Sequence, residues 1–325
     1  MKILSDKISR IKGAIASGHT AARLAILIQL ISIPCKLIDK LLSFLINNKN
    51  KRDSLPPCLM IVSPPRSGST ITYQVLTRVI PSVYISNLHA LFPGFASYYM
   101  KKKKLFGVNL YSFNNYYGYT SKLTDINEGN SQIDYIFKNN AGKSLVRRRF
   151  IRLINKMGAS NTYPFIFKNV RNYKNILRLH EAVPELIFLR IKRNPEQVIQ
   201  SELKAHYELG TFHPIPHALS NISFKNDPVD FAVRQILEIE HEINEQKRKI
   251  NSSNWIEWNY EDFCVNTAIK IEELAIRHFK LDFTQLRLNA LKNPLKVSIK
   301  KKVTLADEDK IKVLLKKYSG IMTEK

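Results

Sequence analysis

A loop at residues 66–70 carries side chains that could bind an anion. It follows a short apolar run at residues 59–62, and apolar residues at helical spacing follow it from Ile71 to Ile80. A strand, a tight loop and a helix are therefore predicted in that order. The free N–H groups and the dipole at the start of a helix favour a negatively charged ligand there. The loop itself consists of Arg66, Ser67, Gly68, Ser69 and Thr70.

Each residue type in this loop suits phosphate or sulfate. Gly68 permits backbone conformations that other residues resist, and it lets a ligand approach closely. Ser67, Ser69 and Thr70 supply hydroxyl donors, and the Arg66 guanidinium is a rigid fork that matches two anion oxygens. An ordinary Ser/Gly turn with a surface arginine would have the same composition, so a second element is needed.

That second element lies at another predicted strand-to-helix turn. The apolar run at residues 186–191 ends in Lys-Arg-Asn-Pro, and a helix is predicted from residue 196. Pro195 suits the first turn of that helix, and Arg193 lies directly before its start. Two basic strand-to-helix turns in one chain are more specific than either alone.

The first loop resembles the 5′-phosphosulfate loop of sulfotransferases, commonly P-R-S-G-[ST]-[ST]. It differs from the ATP-hydrolysing signature, since the first glycine of G-x-x-x-x-G-K-[ST] and its lysine are both absent. The family also has an R-x-P turn with a serine eight residues after the arginine, and that pair grips the 3′-phosphate of the sulfate donor. Arg193 and Ser201 have this spacing.

Three further stretches resemble the same family. The segment from Lys168 to Arg193 is similar to its K-[NS]-x-R-[NH]…F-P-[DE]-A-x-F-I-x-x-x-R-x-P run, and residues 260–263 match a Y-E-D-[LF] strand end. Residues 118–129 resemble a G-x-T…P-N-E stretch of bacterial carbohydrate-type sulfotransferases, although Ile126 stands where that pattern has proline. Lys301 lies in a basic stretch before the last predicted helix, where many family members close over the nucleotide.

The resemblance implies a reaction that transfers a sulfuryl group from 3′-phosphoadenosine 5′-phosphosulfate (PAPS) to a hydroxyl of a carbohydrate or glycolipid. Residues 66–70 would hold the phosphosulfate, Arg193 and Ser201 the 3′-phosphate, and Lys168 would add positive charge at the reaction centre. Such a transfer depends mostly on alignment and electrostatic stabilisation. The acceptor hydroxyl also needs a general base, and two candidates stay open, Glu128 and His89.

Strands alternate with helices from residue 58 onward, which predicts an α/β fold with a parallel sheet and right-handed crossovers. The family resemblance makes this a P-loop-like, three-layer domain over residues 55–325. Residues 1–54 form a separate basic and apolar helical extension. The apolar part of this extension, residues 24–34, is too short to span a bilayer. It either lies on an anionic membrane surface or packs on the main domain or a second subunit, and we favour packing.

The 325 residues carry a net charge of +24. This charge admits nucleic acid, anionic lipid or acidic substrates as partners, but the basic residues are spread along the chain without a nucleic-acid-binding module. The rival functions are therefore a kinase-like nucleotide-dependent transferase and a basic membrane- or nucleic-acid-binding protein without catalysis. Three widely spaced cysteines exclude a disulfide framework and fit a reducing, cytoplasmic location, either in solution or at the inner face of the membrane. We expect no metal, and the oligomeric state is open.

Overall fold

Four parallel strands form the central sheet in the order β2-β1-β3-β4. They are β1 (Cys58–Val62), β2 (Phe165–Lys168), β3 (Ile187–Lys192) and β4 (Trp255–Asn259). The computed structural model describes residues 15–16, 18–45, 55–102, 116–160, 163–210, 212, 214–220, 222–282, 284, 286–288, 295 and 303–323. The predicted parallel α/β fold is confirmed.

The helices of the described residues flank the sheet. A 3-10 turn at Val170–Asn175 joins β2 to α7. The helices are α1 (Thr20–Leu45), α2 (Ser69–Val79), α3 (Asn87–Leu91), α4 (Phe95–Lys102), α5 (Asn130–Phe137), α6 (Lys143–Met157), α7 (Ile176–Ala182), α8 (Pro195–Leu209), α9 (Pro228–Lys247), α10 (Tyr260–Val265), α11 (Thr267–Leu274) and α12 (Leu305–Thr323).

The sheet is buried on both faces because β1 is apolar at every position. Met60 pairs with Phe167 on one side and Phe188 on the other, and these three side chains pack with residues of α6, α7 and α9. Leu59 and Ile61 point to the opposite face and pack with α2, α10 and α11. A strand with no polar alternation is expected in such a three-layer arrangement.

The parallel sheet brings three candidate site segments to one edge. The carboxyl ends of parallel strands lie together, and the loop at 66–70 follows β1 while Lys168 ends β2. Arg193 comes directly after β3, which is the neighbour of β1. The sheet order therefore places both anion-binding segments side by side, which is where open α/β sheets bind ligands.

Residues 81–89 form an isolated strand bridge followed by a short helix. Val83 makes a single parallel bridge to Phe165, and Asn87 begins a short helix that contains His89. The Ser86 side chain accepts from the His89 backbone, and the His89 side chain accepts from the Ser86 backbone. This reciprocal cap satisfies two backbone donors at the helix start and stabilises a helix where hydrophobic periodicity gave no signal.

Helix α1 packs on α3 and α4, as predicted for a segment that contacts the main domain. Asp39 is its buried anchor: both carboxylate oxygens accept from Gly94 N at 2.9 Å, and one accepts from Phe95 N at 2.8 Å. By length and composition alone, residues 20–42 could also cross a membrane, although the sequence had predicted an apolar run too short for that.

Replacing Asp39 with alanine should lower the free energy of unfolding by about 2 kcal/mol, because two buried N–H donors at the start of α4 lose their acceptor. Urea denaturation followed by circular dichroism measures this change. Asp309→Ala, at an exposed position of α12, is the control and should stay within about 0.5 kcal/mol of wild type. Equal midpoints for the two variants would contradict the anchoring role.

Candidate anion-binding site

The loop after β1 presents the start of α2 without a side-chain cap. Gly68 occupies the N-cap position with φ 92° and no side-chain hydrogen bond. A Cβ added at Gly68 would lie 2.2 Å from Cδ2 of Tyr260. Glycine is therefore required for its left-handed backbone and for the packing of this ring. The uncapped first turn leaves backbone N–H groups that can bind an anion.

Arg66 joins this loop to the second turn. Its backbone is left-handed, with φ 66°, which is uncommon outside glycine and is found preferentially at functional sites. Its Nε donates to Ser201 Oγ at 3.2 Å, and its guanidinium carbon lies 4.8 Å from the centre of the Tyr117 ring. A loop residue and a helix residue 135 positions apart in sequence thus meet directly.

Arg193 completes the junction from the other side. Its Nη1 donates to the carbonyl oxygen of Arg66 at 3.3 Å, and its Nε donates to Gln197 Oε1 at 3.2 Å. Its guanidinium lies 4.9 Å from the centre of the Tyr260 ring, and the Glu261 carboxylate is 3.6 Å away. Tyr260 therefore packs against both Gly68 and Arg193 and connects the two basic turns.

The guanidinium groups of Arg66 and Arg193 meet at this junction, with the carboxylates of Glu202 and Glu261 beside them. Burial lowers the pKa of Arg66, and the positive charge of Arg193 lowers it further, whereas the Glu202 carboxylate raises it. Arginine stays protonated in proteins despite such shifts. Anionic groups bound at Arg66 and at Arg193 would relieve the repulsion between the two guanidinium groups, so the geometry favours phosphate or sulfate binding.

Lys168 and Glu128 form an ion pair beside the same loop. Lys168 Nζ lies 2.5 Å from Glu128 Oε1 and donates to Thr70 Oγ1 at 2.8 Å. The lysine side chain is 4% exposed and the glutamate side chain 31% exposed. The cation is thus buried against the first turn of α2, and the carboxylate extends from it toward solvent.

The residues after β2 hold Glu128 in this position. The Asn169 amide donates to the carbonyl oxygen of Glu128 and to Asn130 Oδ1, both at 3.0 Å. Its own Oδ1 accepts from Asn172 N at 2.9 Å. The Lys-Asn-x-Arg-Asn stretch therefore fixes the backbone that carries the Glu128 carboxylate, a role that spacing alone did not reveal.

The side chains of Ser67 and Ser69 are buried. Ser67 Oγ donates to the carbonyl oxygen of Pro64 at 3.0 Å, so this hydroxyl closes the turn in the present arrangement. Ser69 is the first residue of α2. The backbone N–H groups of both residues stay candidate donors to an anion. Lys301 lies outside the described residues.

His89 is placed differently from the other candidates. Its side chain is fully buried, Nδ1 accepts from Ser86 N at 3.1 Å, and Nε2 lies 3.2 Å from Ser97 Oγ. Burial, with a smaller contribution from Lys156, lowers the pKa of His89 to about 3. The ring is therefore neutral near pH 7, and both of its nitrogens have partners within the protein.

Sequence analysis did not predict that Tyr117 and Tyr260, the latter part of the Y-E-D-[LF] match, cover the arginines. Tyr117 lies over Arg66 with φ 50°, and the neighbouring Tyr116 hydroxyl donates to Glu208 Oε2 at 3.0 Å. Burial and the Glu208 carboxylate raise the pKa of Tyr117, so its hydroxyl stays protonated. The only sequence signal was the richness in aromatic residues around position 117, which ordinary cores share.

No metal centre is evident in the part of the chain that the structure describes. No group of three or more histidine, cysteine, aspartate or glutamate side chains there is placed to hold an ion. Cys35, Cys58 and Cys264 are free thiols. Arg66, Arg193 and Lys168 provide cationic side chains at this site.

Comparisons with known proteins identify the architecture. The model described as "Sulfotransferase family" matches residues 57–285. The sulfotransferase STF9 from Mycobacterium avium aligns with a TM-score of 0.54 at 11% identity, covering 82% of this chain and 76% of that chain. The sulfotransferase STF1 from Mycobacterium tuberculosis aligns with a TM-score of 0.51 at 12% identity, covering 82% and 77%. No curated protein matches the sequence.

The low pKa of His89 predicts that stability falls in mild acid. Below about pH 6.5 the unfolded chain binds a proton at His89 that the folded chain excludes. The stability that this neutral histidine contributes is therefore fully present above pH 6.5 and is lost as the pH falls toward 3. Between pH 7 and pH 5 the loss is about 2 kcal/mol.

Urea denaturation at both pH values tests this slope. His89→Asn keeps a hydrogen-bond acceptor near Nδ1 but does not titrate, so its free energy of unfolding should change with pH by about 2 kcal/mol less than that of wild type. His217→Asn, at an exposed position, should retain the wild-type slope. An unchanged slope in His89→Asn would show that His89 does not cause the loss.

Proposed function

The chain belongs to the sulfotransferase family and is a PAPS-dependent enzyme, and from this premise we propose that its acceptor is a hydroxyl of a carbohydrate or glycoconjugate. The acceptor proposal is supported by the likeness of residues 118–129 to a stretch of carbohydrate-type sulfotransferases. The donor site is supported by the junction of the two basic turns, where Arg193 donates to the Arg66 carbonyl oxygen at 3.3 Å. A nucleotide with phosphate groups at both its 5′ and 3′ positions needs two such cationic elements within reach of one ribose. The family's nucleotide has this form.

We assign the 5′ end of the donor to the loop after β1. Arg66 and the backbone N–H groups from Ser67 to Thr70 would hold the phosphosulfate, because an uncapped helix start and a guanidinium both favour its charge. Arg193 and Ser201 would hold the 3′-phosphate. In this assignment the hydrogen bond from Arg66 to Ser201 connects the binding sites for the two ends of the nucleotide.

The reaction breaks the bond between sulfur and the bridging phosphate oxygen and forms a bond between sulfur and the acceptor oxygen. The products are a sulfate ester and adenosine 3′,5′-bisphosphate, and the acceptor proton goes to the general base. Charge develops on the leaving phosphate oxygen, and Lys168 Nζ, which contacts Thr70 Oγ1, would stabilise it. Alignment and charge stabilisation supply most of the catalysis.

We assign the general base to Glu128. Its carboxylate reaches solvent from the ion pair with Lys168, so it can meet an acceptor that enters from outside. His89 is fully buried between Ser86 and Ser97, and an acceptor hydroxyl could reach it only if this helix start opened. Geometry and burial therefore support the carboxylate.

The kinase-like alternative lacks support in the loop. A lysine at the position before the Ser/Thr pair is missing, since Gly68 precedes Ser69 and Thr70.

We further propose a cytoplasmic location with peripheral membrane contact through residues 1–50. The free thiols fit a reducing compartment, and the exposed apolar side chains of α1 support the membrane contact.

Replacing Arg193 with methionine should weaken binding of adenosine 3′,5′-bisphosphate by about tenfold to a hundredfold, because a charged hydrogen-bond partner of the 3′-phosphate is lost. Affinity for adenosine 5′-monophosphate, which lacks that phosphate, should change much less. Isothermal titration calorimetry measures both. Lys192→Met, at the exposed end of β3, is the matched control, and an equal effect on the two ligands would remove Arg193 from the 3′-phosphate site.

Replacing Glu128 with glutamine should lower kcat by about a hundredfold to ten-thousandfold, the usual contribution of a general base. The Kd for adenosine 3′,5′-bisphosphate should stay within about threefold of wild type, since the carboxylate is not assigned to the nucleotide. The assay follows release of adenosine 3′,5′-bisphosphate from PAPS with a panel of glycoside acceptors. Glu273→Gln, exposed on α11, is the control, and near-wild-type turnover in Glu128→Gln would remove that residue from the role.

A further inference from the structure

Helix α1 buries its carboxylate against the domain and exposes apolar side chains to solvent. Its only carboxylate, Asp39, faces the domain, as does Ile28 eleven residues earlier on the same helical face. The outward side is apolar: Leu30 is 65% exposed, and Leu37 and Leu41, at helical spacing from it, are 59% and 72% exposed. A surface helix normally shows the reverse arrangement. Exposed apolar faces of this size mark interaction surfaces.

The basic composition of this segment favours an anionic surface over a second copy of the chain. Residues 1–54 contain ten lysines and arginines and three aspartates. Arg23, Lys36 and Lys40 lie on α1 itself, and the charge of Asp39 is buried at the start of α4. Two such segments would repel each other, whereas anionic lipid attracts basic residues beside an apolar helix face.

The hydrogen bonds of Asp39 favour a helix that lies in the membrane surface over one that crosses it. Crossing would pull α1 away from α3 and α4 and leave the N–H groups of Gly94 and Phe95 without their carboxylate. Lying flat needs no such change, because the leucines already point outward. The helix is 26 residues long, which at about 1.5 Å per residue is about 39 Å, and its exposed apolar side chains extend from Leu27 to Leu41.

The first turn of α1 adjoins the anion-binding site. The His19 ring stacks on Tyr116 with 3.8 Å between ring centres, Tyr116 contacts Tyr117 edge-on at 4.7 Å, and Tyr117 covers Arg66. Residues 116–126, which we call the strap, therefore lie between α1 and the loop after β1. Gly118 of the strap faces this loop, because a Cβ added at Gly118 would lie 3.6 Å from Thr70 Oγ1.

Exposed apolar side chains also occur on α4, which packs on α1, and on the strap. Tyr98 on α4 is 38% exposed, and the Lys102 ammonium lies 5.8 Å from the centre of its ring. Leu123 of the strap is 42% exposed, and its carbonyl oxygen accepts from Leu88 N of α3 at 2.7 Å. Aromatic rings paired with lysines are typical of the boundary between lipid and water.

We infer that α1 lies flat on an anionic bilayer and brings the strap to the lipid surface, so that the acceptor is the hydroxyl of an amphiphile resident in that membrane. The acceptor half of this inference rests on the proposed sulfuryl transfer. The membrane-binding half rests on α1 and the strap alone. The nucleotide, which is soluble, reaches the basic junction from water.

Vesicle co-sedimentation of the full chain tests the docking face. Wild type should pellet with vesicles of phosphatidylglycerol and phosphatidylcholine, and less with phosphatidylcholine alone or at high salt. Leu30→Gln combined with Leu37→Gln should weaken this binding about tenfold or more, because two apolar side chains no longer enter the lipid. The control is Val265→Gln combined with Ile269→Gln, which changes exposed apolar residues of α10 and α11 and should bind as wild type does.

Several results would overturn the inference. They are equal binding by all three proteins, no binding of wild type to any vesicle, or a wild-type dimer in light scattering that the leucine variant loses without any change in lipid binding. Titration of each protein with adenosine 3′,5′-bisphosphate keeps the two proposals apart. Wild type that does not bind this nucleotide contradicts the proposed function, whereas the vesicle result concerns α1 only.

Fluorescence quenching by brominated lipid tests where the strap lies. Ser121→Cys in the strap and Ser253→Cys before β4 are exposed labelling sites in a Cys35→Ser background. A dye at position 121 should be quenched on binding, and a dye at position 253, at the opposite end of the sheet, should not. Quenching at 253 without quenching at 121 would place the site away from the lipid and exclude a membrane-resident acceptor.

Discussion

The site depends on the contact between two basic turns that parallel strands bring to one edge of the sheet. β1 and β3 are neighbours, so the loops that follow them emerge side by side. Arg66 donates to Ser201, and Arg193 donates to the Arg66 carbonyl oxygen. The positive charge of Arg193 lowers the pKa of Arg66, so the two guanidinium groups repel each other. A ligand with two anionic ends would turn that repulsion into affinity.

The surrounding residues keep this arrangement in place before any ligand arrives. Tyr260 lies against Gly68 and under Arg193, and Tyr117 lies over Arg66. Arg66 and Tyr117 both have left-handed backbones. Strained conformations persist only where packing over-determines them, and here two rings and two guanidinium groups fix one another. Catalysis that relies on alignment requires such preorganisation.

The parts that the sequence predicted correctly are those with a local signal. Strand β1 lacks polar residues, the helix after residue 68 has clear periodicity, and Gly68 marks a turn that a side chain could not adopt. The family resemblance then assigned the two basic loops to the two ends of the nucleotide and identified the sulfate donor. These features depend on neighbouring residues, so a single sequence suffices to find them.

The remaining features depend on contacts between distant residues. The sequence around position 89 does not reveal that Ser86 and Ser97 enclose the His89 ring in the structure. This histidine was therefore considered as a general base. The short helix that begins at Asn87 is stabilised by the reciprocal cap between Ser86 and His89, and its residues show no hydrophobic periodicity that would predict it. Likewise, the stretch after β2 looked like a site motif, but Asn169 holds the backbone of Glu128 across 41 positions.

One nucleotide must bridge the turns after β1 and β3 if the site works as proposed. A crystal structure with adenosine 3′,5′-bisphosphate tests this most directly. The 5′-phosphate should lie on the N–H groups at the start of α2, with the 3′-phosphate between Arg193 and Ser201 and the Glu128 carboxylate facing the open end. A nucleotide that binds through only one of these turns, or elsewhere on the protein, would contradict it.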